Sequence, residues 1–166
     1  MQVRIDQYHG ATIRGINVAT SLRDGRNLRE IDAAWQRVSA GHLLAGVPGR
    51  GSDFHPFLGV ISGFDHATTD FNYLIGVPVT AASESAEGFT TVTVPAGQYA
   101  VLTTDPAAEE ADFIRAIQQG WQYLMHDWFP ASGYQHAGTP DFELYDERGE
   151  PGLPNRTMEI WMPVKR

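Results

Sequence analysis

The sequence predicts an α+β domain made of duplicated strand–helix–strand–strand units, with pseudo-two-fold symmetry, an antiparallel sheet, two main helices and a central ligand groove. Three observations predict it. Two segments carry a helical apolar period, Val-, Ile-, Thr- and Tyr-rich segments surround them, and shifts of 85–86 residues lay the first half on the second. A junction between repeated units makes a cleft, the usual seat of a small ligand.

In chain order, Ala11–Ala19 reads as a strand: it is rich in Ile, Thr and Val and lacks a helical period. Leu28–Val38 follows as a helix. Leu28, Ile31, Trp35 and Val38 recur at spacings of three and four and form one stripe, with Arg29, Asp32, Gln36 and Arg37 facing water. Gly46–Pro56 is a Gly/Pro-rich loop, and Phe71–Val77 a buried strand ending near Pro78. Phe89–Thr104 again reads as strand.

The second helix is expected to open at Asp105-Pro106, a capping residue followed by proline at the first helical position. Glu109, Glu110 and Asp112 suit the positive end of its dipole. Its stripe is Phe113, Ile114, Ile117, Trp121, Leu124, Met125 and Trp128, and Pro130 is expected to stop it. Asp141–Asp146 is a short alternating strand, Gly149–Pro154 a loop, and Met158–Val164 the closing strand.

The repeat ties these elements together. A shift of 86 carries Leu28, Ile31, Trp35 and Val38 onto Ile114, Ile117, Trp121 and Leu124, and Ile13 and Ile16 onto Tyr99 and Leu102. A shift of 85 carries Ile75, Pro78 and Val79 onto Ile160, Pro163 and Val164. The 166 residues are expected to form one domain (1–166), with halves of roughly 1–80 and 88–166.

Composition removes several functions. With no cysteine there is no thiol nucleophile, Cys-based zinc site, iron–sulfur cluster or disulfide scaffold. Twelve Lys and Arg stand against 20 Asp and Glu, a formal charge of −8, so no nucleic-acid partner is expected for this chain by itself. The N-terminal stretch has charges where a signal peptide needs an apolar core, and no apolar run is long enough to span a bilayer. A cytoplasmic protein without membrane contact is the expectation. The six histidines form no pair at metal-ligand spacing; there is no nucleophile elbow, phosphate loop or dinucleotide fingerprint. Neither cofactor nor metal is therefore expected.

What remains is an aromatic excess and one oddly placed carboxylate. Strand alternation sends Glu143 and Tyr145 to the face opposite Phe142 and Leu144, and Glu159 and Trp161 opposite Met158, Ile160 and Met162. If the helices cover Phe142 and Ile160, then Glu143, Tyr145 and Trp161 line the other face together. Large aromatics there mark a binding surface, and a carboxylate between aromatic walls suits a flat, apolar cation. The alternative is a solvated Glu143, paired with a residue such as Arg156, over a covered aromatic core.

Four segments carry a resemblance to a known family. Thr93-Val94-Pro95-Ala96-Gly97-Gln98-Tyr99-Ala100-Val101, Trp128–Tyr134 followed by Phe142-Glu143-Leu144-Tyr145, Phe71–Val77 and Met158–Val164 resemble, in order, motifs of the GyrI-like small-molecule-binding domains, the AraC-type effector-binding family. The likeness is strong over residues 70–166 and one of pattern before that. It implies the duplicated fold and a pocket in its groove, in a stand-alone member without a DNA-binding domain. By position it makes Glu143 the acid that meets cationic ligands. Trp161 becomes a pocket wall where the family often has tyrosine, with Tyr73 and Tyr145 as further ligand-binding residues. The implied function is binding of hydrophobic, aromatic or cationic small molecules, for sensing, sequestration or resistance. One alternative is a hydrolase that opens the cyclopropane of alkylating natural products, with Glu143 as the catalytic glutamate that positions or deprotonates water. A second is a gyrase-inhibitor-like factor that binds a protein through its acidic surface. Homodimerisation is left open.

Overall fold

A computed structural model describes residues 1–51, 56–80 and 86–166. The strands are β1 (Gln2–Tyr8), β2 (Ala11–Ser21), β3 (Phe57–Ser62), β4 (Asp70–Val79), β5 (Thr90–Val94), β6 (Gly97–Thr103), β7 (Gln135–His136), β8 (Asp141–Tyr145) and β9 (Glu159–Lys165); the long helices are α1 (Arg26–Ala40) and α2 (Glu110–Gln122). The fold is α+β with antiparallel strand pairing. Two compact units emerge, Gly10–Val94 and Met1–His9 with Pro95–Arg166. The halves therefore do not divide at residues 80–88: the first nine residues belong with the C-terminal half.

In Gly10–Val94 the strands run in the order β3-β4-β2-β5, and α1 packs on one face. In the other unit the order is β8-β9-β6-β1, with β7 also on β9, and α2 packs on one face. The duplication holds to the residue. Ile16 pairs with Ile75 as Leu102 pairs with Ile160, and Ile13 pairs with Pro78 as Tyr99 pairs with Pro163.

The helix faces are set slightly off the expected stripes. On α1, Ala34 and Val38 are buried and Ile31 and Trp35 half-buried against Tyr73, Ile75 and Val77. Leu28 is 55% exposed: α1 begins at Arg26, and its first turn overhangs the core. On α2, Phe113, Ala116 and Gly120 are buried, while Ile114, Ile117 and Trp121 are half-buried. Gly120 explains the close approach of helix and sheet. A Cβ there would meet Ile160 Cδ1 and Leu102 Cδ2, each at 3.0 Å.

Both ends of α2 differ from expectation. Ala107 exchanges backbone hydrogen bonds with Arg156 at 3.1 and 2.9 Å, so the chain past Asp105-Pro106 is still paired as strand and the helix opens only at Glu110. Pro130 does not stop the helical path. Tyr123–Trp128 forms a π-helical turn in which the Phe129 N–H reaches the Leu124 carbonyl, and one more turn runs from Phe129 to Ser132 before Gly133 ends it with φ +77°. The widened turn accommodates the proline that an unbroken α-helix would reject. Phe89–Thr104 is two strands, broken at Pro95-Ala96. β1 and β3 carry no pattern that the sequence reading isolated. The Gly46–Pro56 loop expectation falls partly on residues 52–55, outside the described residues. Among the described residues, no helix is long and apolar enough to cross a membrane.

Candidate functional site

The site grows from β8. Antiparallel pairing puts directly opposed residues on one face, and Glu143 lies opposite Ile160. Ile160 belongs to the core under α2, so Glu143 points to the helix face and is 6% exposed. Two aromatic donors reach its carboxylate. The Trp121 indole N–H donates to Oε2 at 2.7 Å, and the Tyr145 hydroxyl donates to Oε1 at 2.8 Å. Trp121 reaches the carboxylate because neighbouring Gly120 brings α2 down onto the sheet; Tyr145 reaches it because residues two apart on a strand share a face. Each bond to a carboxylate contributes on the order of 1.5–3 kcal/mol, and removing one donor exposes the cost of desolvating the oxygen it served. Trp128, Phe129, Tyr134 and Tyr123, all half-buried, pack on the same core.

A second polar pair sits on this face of β8. His136 Nε2 lies 2.9 Å from Asp141 Oδ1, and the Gly138 N–H donates to His136 Nδ1 at 3.0 Å. Nδ1 accepts, so the neutral ring carries its proton on Nε2 and donates it to Asp141. The hydrogen bond to Asp141 raises the His136 pKa; burial opposes this and the Asp141 charge adds to it.

The predicted residues do not all meet. Glu143 and Tyr145 are joined, as alternation implied. Trp161 is on the opposite face: it pairs with Phe142, stacked on it at 5.4 Å between centroids and 13° between planes, with Tyr8 and Tyr99 at 5.5 and 5.8 Å. Its indole N–H donates at 3.2 Å to Glu159, which also accepts from Arg4 at 2.9 Å and lies 3.4 Å from Arg148. The carboxylate beside Trp161 is therefore Glu159, not Glu143. The expectation that Phe142 and Ile160 share the helix-covered face fails, since β8 and β9 align Phe142 with Trp161 instead. Arg156, offered as a partner for a solvated Glu143, bonds to Glu110 at 2.7 Å and to the Gly149 carbonyl at 3.0 Å, and stacks on Phe113. Tyr73 lies in the Gly10–Val94 unit, 1% exposed, with its hydroxyl accepting from the Trp35 indole at 3.0 Å.

Sequence reasoning read Trp121 as core alone. Its pairing with Trp35 across the 86-residue repeat was the signal that it carries more than bulk. The His136–Asp141 pair left no such signal. Among the described residues, no three His, Cys, Asp or Glu side chains converge as a metal site.

Comparison with solved structures places the fold. SAV2435, in a structure bound to tetraphenylphosphonium, matches with TM-score 0.78 at 23% identity over 99% of this chain and 94% of that one. An integron cassette protein from the mobile metagenome of Vibrio cholerae matches with TM-score 0.67 at 22% identity, over 98% and 95%. The EcmrR C-terminal domain matches with TM-score 0.61 at 13% identity, over 99% and 98%. No curated protein matches in sequence. The profile of the integron-associated effector-binding proteins (Cass2) spans residues 4–164, and on that match the chain belongs to this GyrI-like family.

Proposed function

We propose that this protein binds hydrophobic small molecules, aromatic or cationic, with Glu143 as the anchoring acid and Trp121 and Tyr145 as the side chains that hold it. The observation that carries the reading is the buried carboxylate of Glu143, gripped on both oxygens by neutral aromatic donors. Trp121 and Tyr145 fix the orientation of the carboxylate, and half-buried aromatic side chains pack on the same core. A lipophilic cation gains from such surroundings through charge attraction at reduced dielectric and through cation–π contact. Membership of an effector-binding family supports the reading, as does the lipophilic cation bound to SAV2435. Sensing, sequestration and resistance all need only this binding step.

Titration with tetraphenylphosphonium tests it. Glu143→Gln keeps the shape and both aromatic neighbours, and should weaken the cation at least tenfold, about 1.4 kcal/mol. A neutral triphenyl compound such as triphenylphosphine oxide should lose little. Equal binding of the cation by both proteins would remove Glu143 from the site. A strained cyclopropane electrophile incubated with the protein should be recovered intact; a water-added product would replace the binding reading with the hydrolytic one.

A further inference from the structure

The two units place an acceptor beneath an equivalent indole, but each takes it from a different strand. Gly59 lies opposite Ile75 and Glu143 opposite Ile160, and these two isoleucines are repeat equivalents, so Gly59 corresponds to Glu143. By the same register Val18 faces Tyr73 where Thr104 bonds Met158, so Tyr73 corresponds to Met158. In one unit the Trp121 indole donates to Glu143 at 2.7 Å; in the other the Trp35 indole donates to the Tyr73 hydroxyl at 3.0 Å. The Tyr73 phenol lies over Gly59. A Cβ at position 59 would stand 2.0 Å from its hydroxyl oxygen and 2.4 Å from Cζ, so no side chain can occupy that position while Tyr73 stays in place.

We propose that Gly59 and Tyr73 are a closed, uncharged copy of the Glu143 site, and that Tyr73 is the specificity-determining residue that keeps a second carboxylate out of the repeat-equivalent position. The inference rests on the reading of Glu143 as the ligand's acid. Its physical logic is economy of buried charge. A carboxylate withdrawn from water is costly to keep, whereas a phenol gives the indole an acceptor with no charge at all. One repeat carries a carboxylate at this position, and the other closes over it with an aromatic ring.

The test transplants the site. Tetraphenylphosphonium is titrated into the full chain as wild type, E143Q, Y73M and the triple variant G59E/Y73M/E143Q, with far-UV circular dichroism on each. E143Q should bind at least tenfold more weakly than wild type. The triple variant should recover to within about threefold of wild type, because the carboxylate introduced by G59E would then accept from Trp35 as Glu143 does from Trp121. G59E without Y73M should unfold or lose much of its thermal stability, since Tyr73 still fills the space. Wild-type binding by E143Q would overturn the parent reading of the site. A folded triple variant that binds no better than E143Q would overturn this inference alone. So would a triple variant that fails to fold while Y73M folds, or a G59E protein as stable as wild type.

Discussion

Trp121 and Glu143 meet at 2.7 Å although they lie 22 positions apart, and this bond from a helix residue is shorter than the one from the strand neighbour Tyr145. The contact makes the position of α2 part of the site. Any change that lifts the helix from the sheet also releases an oxygen of the buried acid.

Substitution of the two repeat tryptophans should therefore differ in cost. Trp121→Phe keeps most of the ring but strips a donor from a carboxylate, a loss of about 1.5–3 kcal/mol in urea unfolding. Trp35→Phe strips a donor from a neutral hydroxyl, about 0.5–1.5 kcal/mol. A Trp35→Phe protein as destabilised as Trp121→Phe would show that the charge on the acceptor does not set the energetics.

Gly120 should tolerate almost nothing larger than alanine. Gly120→Ala gains helix propensity of up to about 1 kcal/mol, but its methyl must displace the ends of Ile160 and Leu102 at 3.0 Å. Gly120→Leu should cost about 1–3 kcal/mol by overpacking and shift the tryptophan fluorescence as Trp121 leaves Glu143. Unchanged stability and emission would mean that the helix is free to ride upward.

His136 should titrate above the ordinary histidine value, because Asp141 accepts from its ring. A folded-state value above the unfolded one means that the pair's contribution is complete below about pH 6.5 and fades as pH rises through the folded value. Protonation also turns Nδ1 from acceptor to donor, facing the Gly138 N–H. The Gly138 amide should then lose protection once intrinsic exchange is corrected for pH. Histidine NMR titration measures the first effect, and Asp141→Asn should bring the value down. Titration of His136 below 6.5 in the wild-type protein would contradict the assignment.

The exposed start of α1 yields a contrast within one expected stripe. Leu28→Lys should change stability by no more than about 0.5 kcal/mol, whereas Val38→Ala should cost about 2 kcal/mol. Thermal melts of the two variants decide whether the apolar face of α1 is centred as the packing indicates.

Both helices and the shared face of Glu143 and Tyr145 were legible because each rests on a periodicity within one segment, and the repeat because segments 85–86 residues apart match position by position. Spacing of 3.6 marks a helix, spacing of two marks a shared strand face, and matching offsets such as Trp35 to Trp121 link the halves. The position of Trp161 was not legible. Alternation tells which residues of β8 share a face and which residues of β9 do, but not how the strands align, and a slip of one residue exchanges the faces. That alignment puts Glu143 with Ile160 and leaves Trp161 with Phe142. The late start of α2 was hidden for a similar reason. Asp105-Pro106 is a sound local start signal, overruled by the pairing of Ala107 with the distant Arg156.

The assignment of β1 to the C-terminal unit matters during synthesis. Tyr8 leaves the ribosome 89 residues before Gly97, the partner that it faces in the sheet. At about 5–20 residues per second, the first strand waits roughly 5–20 s with its backbone donors and acceptors unclaimed, while the whole of Gly10–Val94 is made ahead of its partner. During that interval a nascent chain exposes a seven-residue strand bearing Val3, Ile5 and Tyr8, and whatever occupies it first, water, chaperone or another chain, competes with β6 for the same edge.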